Sequence, residues 1–320
     1  MEKVRPIGGF FELETSNAGP GPHPLAIGMS TGRGCLIAII EKLRPKLVHV
    51  PFHICDTALE PFRKLCIPTN FYSIKPDLSP GPIPALKQNE FILWVNYYGV
   101  CGHATDQLKA RYGSRLIIDD THAFFHGKHV EQYSFTSARK YFGVPDGAYL
   151  FSPETLEVTA PRFRGASLIH STLRTMGLFD EAYTAYTAYE NSLPCEKFRI
   201  SKVSQLLLRS INFHEIQQLR LRNYYWLDSI LAKSNTLLLT PAPSDVPFCY
   251  PYLPEKPISR HRLKNANLFI PTLWPDVTKR PVKGYDTERK ISTDLLPLPI
   301  DHRCSLSDLK RLVDNLRSDL

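Results

Sequence analysis

The chain has 320 residues, with 39 Lys+Arg against 31 Asp+Glu for a formal net charge of +8; 43% of residues are hydrophobic and 22% charged. At roughly 100–200 residues per domain, that length predicts one large or two modest domains with ample core, and the composition excludes a disordered chain or a charged coiled coil. A basic balance attracts nucleic acid, an acidic membrane surface or a phosphorylated small molecule, and charge alone does not choose among them.

From the amino end, residues 34–42 (GCLIAIIEK) read as a helix, 47–51 (LVHVP) as a strand and 57–65 as a second helix. Strands are predicted at 69–74, 91–96 (FILWVN) and 116–119 (LIID), with a helix at 106–112 between the last two. This alternation predicts βαβ units around a mostly parallel, buried sheet, in which ligands gather at the carboxyl ends of the strands. After residue 151 the texture changes. Residues 200–232 carry apolar side chains at helical spacing, long enough for one long or two consecutive helices. Residues 240–299 are rich in Pro, with short strand-like runs (NLFIPTLWP, DLLPLPI). The final SLSDLKRLVDNLRSDL is an amphipathic helix with Ser305 or Ser307 as N-cap. The predicted organisation is a large α/β domain over 1–205, with a mostly parallel central sheet, and a smaller α+β C-terminal domain over 206–320.

No stretch reaches the roughly 18 apolar residues of a membrane span, and MEKVRPIGGFFELE lacks the apolar core of a signal peptide, so a cytoplasmic chain without membrane contact is expected. Cys35, Cys55, Cys66, Cys101, Cys195, Cys249 and Cys304 are odd in number and never form CxxC, which predicts reduced thiols rather than a disulfide frame or a zinc site. The first three have apolar neighbours and read as packed thiols.

Chemistry concentrates in LIIDDTHAFFHG and the following YSFTSARKYFGVPDG. A strand delivers Asp119, His122 follows three residues later, and Lys140 stands 21 residues beyond the aspartate. These are the parts a pyridoxal phosphate site requires: a Schiff-base lysine, a carboxylate to keep the pyridinium nitrogen protonated, and a polar ring near the phenolate oxygen. Upstream, MSTGRGCLIAII sets small residues directly before a helix, so that the amides of Gly32, Arg33, Gly34 and Cys35 would face an anion. Alone this signal is weak, because it matches neither GxxxxGK[ST] nor GxGxxG.

Taken in order, these segments resemble the fold-type I pyridoxal phosphate enzymes, and within them the DegT/StrS-like sugar-nucleotide aminotransferases. STGRGCL is similar to the family's Gly-Thr-Ala-Ala-Leu helix start, VPFHIC to V-P-x-x-T-F, VNYYG to V-H-x-Y-G and IIDDTHA to I-E-D-x-A-Q-A. SFTSARKYFGVPDGAYLF is similar to the segment with the Schiff-base lysine, and KFRISKVSQLLL to N-Y-R-M-S-E-L-Q-A-A. NLFIPTLWP and LLPLPIDHR are similar to C-terminal elements, a Pro-containing strand and an L-P-x-H segment before the last helices.

The resemblance implies a homodimer in which Lys140 forms the Schiff base, Asp119 pairs with the pyridine nitrogen and His122 lies against the phenolate oxygen. Arg33 and Gly34 would supply phosphate-binding amides, and either Ser134 or Ser137 the phosphate hydroxyl. Lys197 stands where the family has an Asn that reaches the partner's phosphate, and Asn96 where it often has His. The position aligned with the ring-stacking residue is Cys55, but Phe52 and His53 have the flat faces the role needs and are preferred. The implied reaction moves an amino group from a donor such as glutamate to a keto-sugar nucleotide, as in surface-polysaccharide biosynthesis. The alternatives are another pyridoxal phosphate reaction (α-oxoamine synthesis, elimination or dehydration) and a non-catalytic protein retaining the fold. The chain is shorter than most of the family, with the segment from Asp119 to Lys140 compressed.

Two other patterns read as structure. LRLRNYYWL sets aromatics beside arginines, but an amphipathic helix explains it without nucleic acid. His103, His126 and His129 match no compact ligand spacing and read as surface histidines, so no metal is expected.

Overall fold

A computed structural model describes Leu13, Thr15 and residues 19–237 and 239–317. Most of the N-terminal stretch examined for a leader, and the last three residues of the predicted final helix, lie outside these. The strands are β1 (Ile27–Met29), β2 (Leu47–Pro51), β3 (Thr69–Tyr72), β4 (Glu90–Val95), β5 (Leu116–Asp119), β6 (Tyr133–Ser137) and β7 (Ala148–Phe151), then β8 (Tyr250–Tyr252) and β9 (Leu296–Leu298). The first seven form one sheet in the order β1-β7-β6-β5-β4-β2-β3, and β8 pairs antiparallel with β9. Strands β2 to β6 run parallel, while β7 is antiparallel to both neighbours. β4 and β5, near-continuous apolar runs, are buried at nearly every position as strands covered on both faces require, and β6 (YSFTS) is buried throughout despite its hydroxyls.

Helices α1 (Gly32–Leu43), α2 (Asp56–Lys64) and α3 (Gly102–Tyr112) link the parallel strands. Thr31 caps α1 by accepting from the Gly34 amide. α3 starts four residues before its predicted onset, because the Asp245 carboxylate accepts from the Gly102 amide and Thr105 bonds back to the Cys101 carbonyl. The remaining helices are α4 (Ile169–Thr175), α5 (Phe179–Ser192), α6 (Lys202–Arg209), α7 (Phe213–Leu231), α8 (Arg260–Asn265), α9 (Asp276–Lys279), α10 (Asp286–Asp294) and α11 (Leu306–Arg317). The apolar run 200–232 is thus two helices, the second capped by Asn212. Ser305, not Ser307, caps α11: its hydroxyl accepts from the Asp308 amide while Asp308 accepts from the Ser305 amide. The run NLFIPTLWP contains no assigned strand; Trp274 near its end has φ +53°, and the local hydrogen bonds close turns instead of a ladder. One hydrophobic cluster runs from α1 through the sheet to α7, β8, β9 and α11. Among the described residues, no helix is long and apolar enough to cross a membrane.

The turn that carries Lys140 is anchored by Asp146. Its carboxylate has no solvent exposure and accepts from the Ser201 amide (2.8 Å), the Ser201 hydroxyl (2.5 Å) and the Ser204 hydroxyl at the start of α6. Asp146→Ala leaves these three donors buried and unpaired. We expect a loss of about 2–4 kcal/mol, read as a lower urea midpoint at unchanged slope.

Candidate active site

The register of the parallel strands decides which residues meet. β5 ends at Asp119, which pairs with Phe135 of β6. Register partners in a parallel pair share a face, and side chains alternate along a strand. Asp119, Phe135 and Ser137 therefore share one face, and Ser134 and Thr136 take the other. α1 begins on the Asp119 side, since a Cβ built on Gly32 would lie 3.4 Å from the Phe135 ring and 3.5 Å from Thr121 Cγ2. Of the two candidate serines, Ser137 is thus on the Asp119 face, and Ser134 is buried behind it with its hydroxyl unpartnered.

Lys140 closes a single helical turn, Ala138–Lys140, directly after β6. Its Nζ donates to Thr121 Oγ1 at 3.3 Å, and the Thr121 amide donates to Asp119 Oδ1 at 2.9 Å. Solvent reaches Lys140 from one side, yet the protein crowding its ammonium lowers its pKa. Desolvation is the first cause and Arg139 a further one; Asp119 and Cys55 oppose them. Burial raises the Asp119 pKa, while Lys140 and Thr121 pull it back toward the carboxylate.

His122 is buried and sandwiched, with ring centroids 4.4 Å from Phe248 (16° between planes) and 5.3 Å from Trp274 (23°). Burial first, then the Lys140 charge, hold the imidazole neutral, well below its usual pKa. Its Nδ1 has no hydrogen-bond partner.

Several expected site residues have partners of their own. Phe52 is fully buried, stacked at 3.9 Å on Tyr285 with Arg280 over its ring. His53 is fully buried, edge-on to Trp274 at 4.7 Å, with a pKa of about 3 set by desolvation. Cys55, at the N-cap of α2, lies within electrostatic reach of both Lys140 and Asp119. Asn96 is spent on structure: Nδ2 donates to Asp120 and Oδ1 accepts from the Cys101 amide. The Arg33 guanidinium pairs with Glu60 (2.6 Å) and the Leu193 carbonyl, and Lys197 pairs with Glu41 in the third turn of α1. The Arg33 guanidinium is thus directed at Glu60 and Leu193. The Gly34 amide is taken by Thr31, whereas those of Gly32 and Arg33 precede the first intrahelical bond, Cys35 N–H to the Thr31 carbonyl, and stay available.

Thr121, Phe248 and Trp274 were missed in the sequence. Thr121 is legible as the polar residue between Asp119 and His122; the two aromatics come from distant segments with no local signal. His126 and His129 were read as surface residues, but His129 is buried and His126 half-buried; His103 is exposed. Two surface recesses, of about 330 and about 190 Å3, have neither Lys140 nor Asp119 in their walls. Pyridoxal phosphate fits the residues around Lys140. They offer an amine, a buried carboxylate, two free helix-start amides, the Ser137 hydroxyl and a neutral imidazole with an unpartnered nitrogen.

No protein-family profile and no curated protein matches the sequence. Solved structures do. DesV from S. venezuelae, in complex with a ketimine intermediate, is 17% identical, with a TM-score of 0.64 over 92% of this chain and 84% of its own. DesI in the presence of its TDP-sugar product is 14% identical (TM-score 0.60, 92% and 80%). A DegT/DnrJ/EryC1/StrS aminotransferase from Brucella abortus is 13% identical (TM-score 0.60, 92% and 85%). The chain therefore has the fold of the fold-type I aminotransferases. Within that class, the sugar aminotransferases are what it is similar to over almost its whole length.

Because Asp119 raises the Lys140 pKa, Asp119→Asn removes that support and lowers it further. Competitive labelling of lysine amines across a pH series, read by mass spectrometry, is expected to show a lower Lys140 midpoint in the variant than in the wild type, with surface lysines unchanged. An unchanged or higher midpoint would contradict the coupling.

Proposed function

We propose that the protein is a pyridoxal phosphate-dependent aminotransferase that moves an amino group from an amino acid such as glutamate to a keto-sugar nucleotide. The observation that carries this reading is the Asp119–Thr121–Lys140 linkage at the carboxyl edge of a parallel sheet, facing the open end of α1. The likeness to DesI, whose structure holds a TDP-sugar product, supports the acceptor class.

When bound, pyridoxal phosphate supplies an aldehyde that condenses with amines and a ring that withdraws electrons from the bond being broken. The chain's own residues supply the rest. Lys140 is the amine for the aldehyde and then, with its pKa lowered by crowding, the base that moves the substrate Cα proton. Asp119, whose carboxylate accepts from the Thr121 amide, would pair with the ring nitrogen and hold its proton. The Gly32 and Arg33 amides and the Ser137 hydroxyl bind phosphate at the positive end of α1. Neutral His122 hydrogen-bonds the phenolate oxygen, and Phe248 and Trp274 fix its ring and exclude water.

The active unit is a homodimer. Ile169, Met176, Leu178, Phe179, Tyr183 and Tyr186 are large apolar side chains exposed on or beside α4 and α5, and a second copy is what covers them. Phe179→Glu is expected to shift the native mass from dimer to monomer in light scattering, and a monomeric wild type would remove this part.

One observation favours a non-catalytic protein that retains the fold: by the resemblance of VPFHIC to V-P-x-x-T-F, a cysteine, Cys55, aligns with the position of the family's ring-stacking residue. Spectra separate the readings. Incubated with pyridoxal phosphate, the wild type is expected to develop a visible absorbance band, and borohydride to fix the cofactor's mass on the peptide holding Lys140. Lys140→Ala is expected to lack both and to lose amino transfer by at least about 10²–10⁴-fold. A wild type without band or adduct supports the non-catalytic reading.

A further inference from the structure

Strand geometry sends Asp120 away from Asp119. Its amide continues the β5 ladder by donating to the Phe135 carbonyl at 2.8 Å, so the two carboxylates project to opposite faces. Behind the cofactor face, Asp120 meets two histidines of the HGKH segment, His126 and His129. His129 Nε2 is 2.8 Å from Asp120 Oδ2, and Asn96 Nδ2 donates to Oδ1 at 3.1 Å. His126 Nε2 is 3.1 Å from Asp245 Oδ1. One ligand atom from each of Asp120, His126 and His129 lies within 4.8 Å of the others.

We propose that Asp120, His126 and His129 form a binding site for a divalent transition-metal ion of the Zn2+ class. Two imidazoles and a carboxylate, three protein ligands in all, form a donor set that suits Zn2+ and leaves a fourth position for water. Metal–ligand bonds of roughly 2.0–2.2 Å put ligand atoms about 3.3 Å apart in a tetrahedral site. The His129–Asp120 pair needs to open by about half an ångström from its present contact, and His126 to approach by no more than about 1.5 Å, both within reach of small ring rotations. Supporting partners are present: Asn96 orients the carboxylate so that Oδ2 faces the histidines, and Asp245 holds His126 by one ring nitrogen, as outer carboxylates do for metal-binding imidazoles. Asp245 is fixed in turn by the amides of Gly102 and Ala242.

The site is independent of the cofactor reading, since none of its three ligands is assigned a part there. An ion here would tie the segment that follows β5, with Thr121 and His122 on it, to the end of the central strand. It would brace the cofactor face from behind without joining the chemistry.

The test uses tag-free, full-length protein, stripped with a chelator and desalted, then titrated with ZnCl2 against a chromophoric competitor. Wild type is expected to bind one Zn2+ per chain, and Co2+ substitution to give the intense visible bands of a four-coordinate site. His126→Gln and His129→Gln are each expected to weaken Zn2+ at least tenfold, and together to abolish stoichiometric binding. If the double variant does not fold by circular dichroism, His126→Gln alone decides, because His126 is only half-buried. Failure of wild type to bind Zn2+, or equal binding by folded variants, overturns the proposal.

Discussion

Two consecutive carboxylates are buried at the end of the central strand, and the structure around them is built to partner both. Ionised groups taken out of water are costly unless paired, so each aspartate selects its surroundings. Asp119 has Thr121 and Lys140 on the α1 face. Asp120 has His129 and Asn96 on the other, and those contacts outweigh burial and hold its pKa low. The alternation of a β-strand divides two chemically identical neighbours between two sites.

The same division explains why the cofactor residues cluster. β6 lies parallel to β5 in a register that brings Ser137 and the Lys140 turn to the Asp119 side. Asp146 then ties that turn to the start of α6. The chain between Asp119 and Lys140 does two tasks: its first residues, Thr121 and His122, serve the lysine face, and its next turn returns His126 and His129 to Asp120. A short segment serving both faces leaves little room to vary either one alone.

Charge distribution takes on a different meaning in the folded chain. The excess of basic residues suggests cations facing a cofactor phosphate; in the folded chain Arg33 pairs with Glu60 and Lys197 with Glu41. Backbone amides of α1 and the Ser137 hydroxyl are what remain for an anion, a weaker but geometrically fixed cradle.

The sequence by itself determined the alternating α/β order and the parallel core strands, and it singled out Asp119, His122 and Lys140 as the candidate chemistry. Strand runs, helix caps and short-range spacing are local, and local physics writes them into neighbouring residues. It left Ser134 and Ser137 undecided, because only pairing register assigns a face. It pointed to Phe52 and His53 by the shape of their rings, but could not show that Phe52 stacks on Tyr285 and His53 meets Trp274 edge-on. Nor could it join His126 to Asp245 or His122 to Phe248 and Trp274, contacts that span more than a hundred residues and exist only once α7, β8 and the Pro-rich segment fold against the sheet. Which residues share a face is decided by hydrogen-bond register and long-range packing, and both belong to the tertiary structure.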